Sequence, residues 1–496
     1  MSTLGAQVLA GTGASFGLAM TSPAVSIASG DSAIVALEIT AAPGYSQPIY
    51  LTAGGLPAGV SVDFPSPIVG GQTVSLTINT SLSSSVKAFP FTLYASSSAE
   101  NHSATLSLTV TPPVTSHWVG AWGASASSPS NGGDKYYLTN VTVRQIAHLS
   151  IGTSANLRLR LSNALGSAPV SFASVHVAQW AGSGSSVTNA IVPKTDHTVT
   201  FDGAESVTIQ PGSEVFSDPV VFPLPADSDL AVSFYIPRTS NIPATMHTFG
   251  NQTSYFALGN FAASITLPNA LKDTVRPYLT GVDVDSTAAS SLVVLGDSIT
   301  DGTRSSANQN LRWTDDLARR LTSTFGDRVG VVNAGIAGNC VIGACLGPSM
   351  TDRFQRDVLS ISGVKYLIIL AGINDLVNTP GITAAMLAKA YNNLISQAHA
   401  QGILVYGATL TPFGGSKFFT QAREQLRQQV NTFIRAGGAF DAVIDFDKVI
   451  ANPVNLAYIQ PQFNADNVHP NDAGYQAMAN AIDVTLLTRI PSLAGR

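Results

Sequence analysis

The sequence feature that most constrains the fold is a buried-strand run that ends in a serine and is followed by a helical pattern. Ser291 to Leu295 is short, apolar and rich in β-branched residues, as expected of a strand buried on both faces. The run breaks at Gly296-Asp297-Ser298, and apolar residues recur at helical spacing from about Trp313. A serine in such a turn lies at the carboxyl edge of an open α/β sheet, where these sheets bind their ligands. The stretch therefore predicts an α/β domain with Ser298 at its functional edge.

Two other serines lie in short motifs of the same type but lack this context. Gly30-Asp31-Ser32 repeats the tripeptide inside an alternating β-pattern that no helical pattern follows, and we interpret it as a turn. Gly13-Ala14-Ser15-Phe16-Gly17 matches the nucleophile-elbow pattern, but it lies in a Gly/Ala/Ser-rich leader without a preceding strand. Ser298 is therefore the preferred candidate nucleophile.

From Ser291 onward, buried-strand runs alternate with helical patterns, which predicts a parallel sheet covered by helices on both faces. The expected strands are Leu292–Leu295, Val329–Asn333, Tyr366–Leu370, Ile403–Tyr406 and Val443–Phe446. The expected helices are Trp313–Phe325, Thr383–Gln401, Thr420–Arg435 and Asp472–Leu487. No glycine-rich phosphate-binding fingerprint follows any of these strands.

The residues before 288 show short runs in which apolar and polar residues alternate, separated by turns that contain Gly and Pro. This pattern predicts two all-β domains. Residues 1–113 indicate an immunoglobulin-like β-sandwich, and Gly54 to Val62 resembles the bacterial immunoglobulin-like modules appended to secreted enzymes. Residues 114–287, after a stiff linker at Thr111 to Thr115, predict a jelly-roll-like β-sandwich accessory domain. Residues 288–496 are expected to form a three-layer, flavodoxin-like α/β domain with a parallel sheet.

Composition excludes several classes of function. Only 11% of residues are charged and the net charge is −5, without a basic patch that would bind nucleic acid. No apolar run is long enough for a membrane span, so stable membrane insertion is not expected. Abundant Gly, Ser and Thr suit a secreted or extracellular protein. The first twenty residues lack the basic start of a signal peptide, and we expect that such a signal has been removed.

The chain has two cysteines, Cys340 and Cys345. They cannot complete a four-thiolate zinc site, and no metal is expected. Their spacing would allow a small loop-closing disulfide, which is typical of exported proteins. The alternative is a pair of buried free thiols.

Three further motifs fall at strand ends, or just before the last helix, of the α/β region: Asn333 to Asn339, Gly372 to Asp375 and Asp466 to His469. Ester hydrolysis needs a nucleophile, a base, a group that orients the base, and donors for the oxyanion. His469 is the histidine of this region in a candidate catalytic loop, since His399 lies on a long helical pattern. Asp466, three positions earlier, can accept its Nδ1–H. A glycine N–H, the Asn374 amide and the Ser298 N–H can supply the oxyanion donors.

These four motifs, in this order, resemble the SGNH hydrolase family, also called the GDSL esterases and lipases, over about Ser291 to Leu487. The resemblance implies a serine esterase without a cofactor. It assigns Ser298 as nucleophile, His469 as base and Asp466 as its orienting partner. It also assigns Gly338 and Asn374 to an oxyanion hole with the Ser298 N–H. Gly335 competes with Gly338, which is preferred because the family's glycine lies further into the loop.

The expected substrate is a small-molecule or polysaccharide ester, for example one with short acyl groups such as acetyl. The alternatives are a lipase on longer acyl chains and a carbohydrate-binding or adhesion protein with an inactive hydrolase domain. Three tryptophans could form a sugar-stacking platform, although core positions are the more common use: Trp118, Trp122 and Trp180. Four histidines show no metal spacing and are expected to be structural: His148, His176, His197 and His247.

Overall fold

A computed structural model of the chain describes residues 15–20, 23–29, 32–81, 84–111, 117–128, 138–237, 243–286, 289–343, 345–436 and 438–488. The chain divides into two compact units between residues 115 and 116. The expected linker at Thr111 to Thr115 lies, after its first residue, outside the described residues, as do Gly13-Ala14 and Gly30-Asp31. Within these described ranges, no helix is long and apolar enough to cross a membrane.

The first unit is built from two four-stranded sheets, as expected of a sandwich. Its strands are β1 Phe16–Met20, β2 Ala24–Ala28, β3 Ser32–Ala41, β4 Tyr50–Gly54, β5 Val60–Asp63, β6 Gln72–Thr80, β7 Ala88–Ser96 and β8 Asn101–Thr111. The sheet orders are β1-β3-β6-β5 and β2-β8-β7-β4. Alternate residues of the strands, such as Leu37, Leu76 and Leu108, are fully buried in one core. Alternation of apolar and polar residues therefore gives each sheet one inner face.

The second unit begins with a larger all-β region. Its strands are β9 Trp118–Gly123, β10 Val141–Leu149, β11 Asn156–Ser162, β12 Val170–Phe172, β13 Ser174–Gln179, β14 His197–Thr198, β15 Val207–Ile209, β16 Glu214–Phe216, β17 Val220–Val221, β18 Ser228–Ile236, β19 Met246–His247, β20 Ser254–Leu258, β21 Leu271–Asp273, β22 Arg276–Pro277 and β23 Leu279–Asp285. A six-stranded sheet, β14-β13-β18-β10-β20-β21, and a five-stranded sheet containing β16-β11-β23-β9 are its main sheets. Val232 of the first and Val282 of the second lie in one core. A jelly-roll connectivity remains a prediction.

The α/β region follows within the same unit, and the predicted fold class is confirmed. Its strands are β24 Ser290–Gly296, β25 Val329–Gly335, β26 Val364–Leu370, β27 Leu404–Ala408, β28 Ala442–Ile444, β29 Ala451–Asn452 and β30 Asn455–Ile459. Its helices are α1 Ser298–Asp301, α2 Trp313–Phe325, α3 Met350–Phe354, α4 Ile373–Asn378, α5 Ala384–His399, α6 Gln421–Ala436, α7 Phe446–Ile450 and α8 Asp472–Asn480. A π-helical turn spans Gln355–Leu359, and 3₁₀ turns span Pro461–Phe463 and Val484–Thr488.

The main sheet of this region is entirely parallel, in the order β25-β24-β26-β27-β28. Leu292 and Val294 of β24 lie in one core cluster, whereas Val293 and Leu295 lie in the cluster on the other side. The strand is continuously apolar because both of its faces are covered. The order reverses between β24 and β26, and such a topological switch point is where ligands bind in open α/β sheets.

Two local predictions differ from the structure. The expected helix at Asp472–Leu487 ends at Asn480, because the Asp483 carboxylate accepts the Thr485 N–H at 3.0 Å and begins a separate 3₁₀ turn. The alternating run at Val199–Phe201 also predicts a strand, but the regular strand at this place is β14, His197–Thr198, and Phe201 makes only an isolated bridge with Ala204. The short helices α1, α3, α4 and α7 carry too few residues for a periodic pattern.

The β-region of the second unit packs directly against the α/β sheet. The Gly120 N–H of β9 donates to the Ser291 Oγ of β24 at 2.8 Å, and the Ser150 Oγ accepts the Val331 N–H of β25 at 2.8 Å. A side chain at Gly120 would overlap Val332, so the glycine permits this approach. The division of the chain into three domains at 113/114 and 287/288 remains a prediction.

Candidate active site

Ser298 is the first residue of α1 and lies directly beyond the carboxyl end of β24. The Asp297 carboxylate caps this helix by accepting the Ile299 N–H at 3.0 Å. Gly302, with φ of 92°, ends the helix, and its N–H donates to the Ser298 carbonyl at 3.0 Å. The sharp strand-to-helix turn therefore holds the Ser298 hydroxyl at the edge of the sheet, as the sequence predicts.

His469 and Asp466 lie in the loop before α8 and meet Ser298 across 171 residues of sequence. The distance from His469 Nε2 to Ser298 Oγ is 2.9 Å. His469 Nδ1 lies 3.1 Å from Asp466 Oδ1 and 3.0 Å from Oδ2, and Oδ1 also accepts the His469 N–H at 2.9 Å. The three side chains thus form one continuous chain of hydrogen bonds.

Arg304 is a site residue that the sequence did not indicate. Its Nε donates to Asp466 Oδ2 at 2.8 Å, although the two residues are 162 positions apart. Partial burial alone would raise the pKa of the Asp466 carboxyl. The hydrogen bonds from Arg304 and from the backbone and side chain of His469 outweigh this and hold that pKa well below its usual range. Asp466 therefore stays ionised beside His469.

The loop after β25 and the first turn of α4 supply the predicted oxyanion donors. Gly338 has a φ of 76°, which favours glycine, and the Asn374 Nδ2 donates to the Asn339 carbonyl at 3.0 Å. Among the described residues, no acceptor in the chain receives a hydrogen bond from the N–H of Ser298 or Gly338. These two groups and the second amide hydrogen of Asn374 can therefore bind a developing oxyanion.

The structure separates the two candidate glycines by position. Gly338 lines the cleft above Ser298. Gly335 ends β25, where its N–H donates to the Asn333 Oδ1 at 2.8 Å and a Cβ would overlap the backbone of Asp301. Gly335 thus serves the packing of α1 on β25, and its N–H is already occupied.

Two buried side chains support this edge of the sheet, Arg353 and the Asp375 that ends the Gly372 to Asp375 motif, and the sequence indicated neither role. Arg353 donates to the Gly296 carbonyl at 3.0 Å, the Ala334 carbonyl at 2.8 Å and the Asn339 Oδ1 at 3.1 Å. Asp375 accepts the N–H groups of Val341 and Ile342 at 2.8 and 3.0 Å. The ends of β24 and β25 and the loop beyond Gly338 are therefore fixed from behind. Their partners are remote in sequence, so no local signal could have identified them.

Burial also changes the ionisation of the residue before the candidate nucleophile. Asp297 is fully enclosed, and burial is the main cause that raises the pKa of its carboxyl to about 7. The capping bond from Ile299 opposes this shift, whereas the nearby carboxylates of Asp375 and Asp301 add to it. Below that pKa a neutral Asp297 adds no charge beside Ser298.

The catalytic candidates open into a cleft of about 770 Å³. Leu346 lines one wall of the cleft and lies over Gly338. The neighbouring Cys340–Cys345 disulfide confirms the expected bond. The other lining residues include Thr248 and Phe249 from the β-region, Ile373 and Val377 from α4, and Phe413, Lys417 and Phe418 from the loop after β27. The β-region therefore contributes directly to this cleft.

The tryptophans considered for a sugar platform have other contacts. Trp180 is buried and donates to the Thr188 carbonyl at 2.7 Å. Arg158 stacks on Trp118, and Arg276 stacks on Trp122. None of these three tryptophans is among the described residues that line the cleft.

The histidines of the β-region are held by polar partners. His148 bonds to Asp227 and Asp229, and His176 bonds to Asp196, each at 2.9 Å. In the part of the chain that the structure describes, no group of three or more His, Cys, Asp or Glu side chains could hold a metal ion.

The fold and the position of this site define the class of the α/β region as an SGNH hydrolase fold. The family model of the GDSL-like lipase/acylhydrolase family matches residues 294–477, which include every predicted site residue from Ser298 to His469. Residues 294–477 therefore belong to the GDSL-like lipase/acylhydrolase family.

Solved structures with similarity to the chain include the lipase/acylhydrolase from Enterococcus faecalis, at 24% identity and a TM-score of 0.33, covering 41% of this chain and 100% of that one. LAE5, an α/β hydrolase from the metagenome of Lake Arreo in Spain, is 22% identical with a TM-score of 0.32, covering 42% and 98%. A carbohydrate acetylesterase family member from Sinorhizobium meliloti is 14% identical with a TM-score of 0.32, covering 40% and 98%. No curated protein sequence matches the chain.

Proposed function

We propose that the chain is a secreted serine esterase that hydrolyses carboxylic esters through an acyl-enzyme on Ser298. The observation that supports this most directly is the hydrogen-bond chain from Ser298 Oγ through His469 to Asp466. A nucleophile, a base within hydrogen-bond reach and a carboxylate that orients the base form the minimum set for acyl transfer. The Cys340–Cys345 disulfide supports a location in an oxidising compartment.

In the proposed mechanism, Ser298 Oγ attacks the ester carbonyl while His469 Nε2 takes its proton. Asp466 accepts the Nδ1–H of His469, which fixes the tautomer with a free Nε2 and stabilises the imidazolium that forms. The negative charge on the carbonyl oxygen is met by the N–H groups of Ser298 and Gly338 and by the Asn374 amide. His469 then protonates the leaving alcohol, and water, activated by His469, releases the acid from Ser298.

A lipase with longer acyl substrates is the second candidate, because apolar side chains are exposed around the cleft: Phe249 is 44% exposed, Leu346 59% and Phe418 40%. Hydrolysis rates on p-nitrophenyl esters from acetate to palmitate, together with acetate release from acetylated xylan, distinguish the two. A maximum at short acyl chains with release from xylan supports the polysaccharide esterase. A maximum at long chains supports the lipase. No hydrolysis of any ester would contradict both and favour an inactive, binding-only domain.

A further inference from the structure

The side chains that line the cleft include more cations than carboxylates. Besides His469, the charged lining residues are Arg304, Lys417 and Asp466. Asp466 is already engaged by His469 and by the Nε of Arg304. Among the described lining residues no other carboxylate is present, so a substrate entering the cleft meets cations whose charge is not fully balanced.

Arg304 has hydrogen-bond donors that Asp466 does not use. Its side chain is 59% exposed, and within the described residues its Nη1 and Nη2 make no hydrogen bond. A guanidinium that presents two parallel N–H groups can bind a carboxylate or phosphate through both.

The backbone of Arg304 is held in an unfavourable conformation. Its φ is 75°, in the left-handed region that non-glycine residues seldom adopt. The residues on either side are anchored, because Tyr475 donates to the Thr303 carbonyl and Asn251 donates to the Ser305 Oγ, each at 2.6 Å. Such strain persists where the surroundings impose it, and it is concentrated at functional sites. The fold thus directs the Arg304 side chain towards Asp466 and the cleft.

Lys417 approaches from the loop after β27. Gly415 of this loop lies against the catalytic loop, since a Cβ at Gly415 would be 3.3 Å from Asn467. Lys417 is exposed, and its ammonium lies 5.0 Å from the centre of the Phe418 ring. No carboxylate of the described residues lies within ion-pair distance of it. Lys417 is therefore a second cation on the side of the cleft that holds His469.

The chemistry of the reaction fixes which half of the substrate meets these cations. The leaving oxygen must come within hydrogen-bond reach of His469 Nε2 to receive its proton. The alcohol portion therefore extends over the His469 loop, beside Arg304 and the Lys417 loop. The acyl portion extends from the oxyanion donors towards Leu346. Resting on the proposed esterase function, we infer that the cleft selects esters whose alcohol portion carries a carboxylate or phosphate, bound by Arg304 and Lys417.

The test compares two acetyl esters of nearly equal size, 4-acetoxybenzoate and the neutral 4-acetoxybenzamide. The readout is the ratio of kcat/KM on the anionic ester to that on the neutral ester, in which changes common to both cancel. A third ester, 4-acetoxyphenyl phosphate, shows whether a phosphate is preferred over a carboxylate.

Lys417→Gln is expected to lower this ratio about two- to fivefold, the size of one partly exposed charge pair. Arg304→Gln keeps a side-chain donor for Asp466 and is expected to lower the ratio similarly. Lys389→Gln is the control, because it removes an exposed cation of α5 that does not line the cleft. This substitution should leave the kcat/KM ratio unchanged. Raising the salt concentration should lower the wild-type ratio, because salt screens exposed charges.

A ratio that neither cleft substitution nor salt changes, with the neutral ester still hydrolysed, would overturn the inference and leave the esterase intact. Hydrolysis of neither ester by the wild type would overturn the esterase proposal and this inference with it.

Discussion

The imidazole of His247, in the β-region, and the carboxylate of Asp301, at the end of α1, form a buried pair with Nε2 and Oδ1 3.1 Å apart. His247 Nδ1 lies 2.9 Å from the Ser125 carbonyl, so both ring nitrogens face acceptors and the ring is an imidazolium. The second oxygen of Asp301 accepts the Ala337 N–H at 2.8 Å, next to Gly338. The pair therefore links the β-region to the helix of Ser298 and to the loop of Gly338, which carries a proposed oxyanion donor.

Replacing His247 by Gln should destabilise the protein, because it leaves Asp301 buried without its cation. Breaking a buried pair in this way typically costs about 3–5 kcal/mol. We also expect kcat to fall more than KM changes, since the loop of the proposed oxyanion donor Gly338 loses an anchor. Chemical denaturation and steady-state kinetics measure the two effects. His197→Gln, at an exposed histidine of the same region, is the control and should change neither the stability nor kcat.

The same pair predicts a pH dependence of stability. Burial alone would lower the pKa of His247, but Asp301 and the Ser125 carbonyl outweigh it and raise the pKa. A raised folded-state pKa means that the stabilisation is fully present below about 6.5, the unfolded value, and is lost as the pH rises through the folded value. The difference in unfolding free energy between wild type and His247→Gln should therefore be largest in mild acid and shrink in alkali. A difference independent of pH would contradict the imidazolium assignment.

Arg304 should influence the pH profile of the reaction. Its positive charge lies beside Asp466, within the hydrogen-bond chain that is proposed to take the proton from Ser298. Arg304→Met is expected to move the acidic limb of kcat/KM upward by about 0.5 pH unit. Asp466→Asn removes the opposite charge and should move the same limb to lower pH. If the acidic limb of kcat/KM lies at the same pH in wild type and in Arg304→Met, the guanidinium has no electrostatic role in the reaction.

Asn374→Ala should remove an oxyanion donor that acts mainly in the transition state. We expect kcat to fall about 10²–10³-fold with little change in KM. Asn378→Ala, on the same helix and in the same cleft, serves as the control and should retain most of kcat. An increase in KM alone would instead make Asn374 a substrate-binding residue.

The Cys340–Cys345 disulfide closes a short loop with a sequence separation of 5. The loop-entropy relation gives about 2 kcal/mol for a loop of this size. Cys340→Ser with Cys345→Ser should lower stability by about that amount, and it should reduce activity because the loop supports Leu346 over Gly338. Alkylation of the native protein should detect no free thiol. Two reactive thiols in native protein would argue against both the bond and the proposed export.

The sequence predicted those parts of the site that depend on local pattern. Ser298 could be found because a buried strand, a turn and a helix follow one another within the chain, and Asp466 because it lies three residues from His469. The pairs Arg304–Asp466 and His247–Asp301 join residues that are 162 and 54 positions apart. The spacing of apolar residues along the sequence cannot predict contacts between such distant positions. The preference for Gly338 over Gly335 came from the family resemblance, and the fold adds a physical reason, because Gly335 packs against α1.

The proposal that Ser298 is the nucleophile is tested most directly by trapping the acyl-enzyme. Protein quenched in acid during turnover of p-nitrophenyl acetate should carry one acetyl group, and peptide mapping should place it on the peptide that contains Ser298. Ser298→Ala should lose this acetyl group and at least about 10³-fold in kcat. Ser15→Ala, at the nucleophile-elbow-like motif without a preceding strand, should keep both. An acetyl group on another residue, or near-normal turnover by Ser298→Ala, would contradict the proposal that Ser298 is the nucleophile.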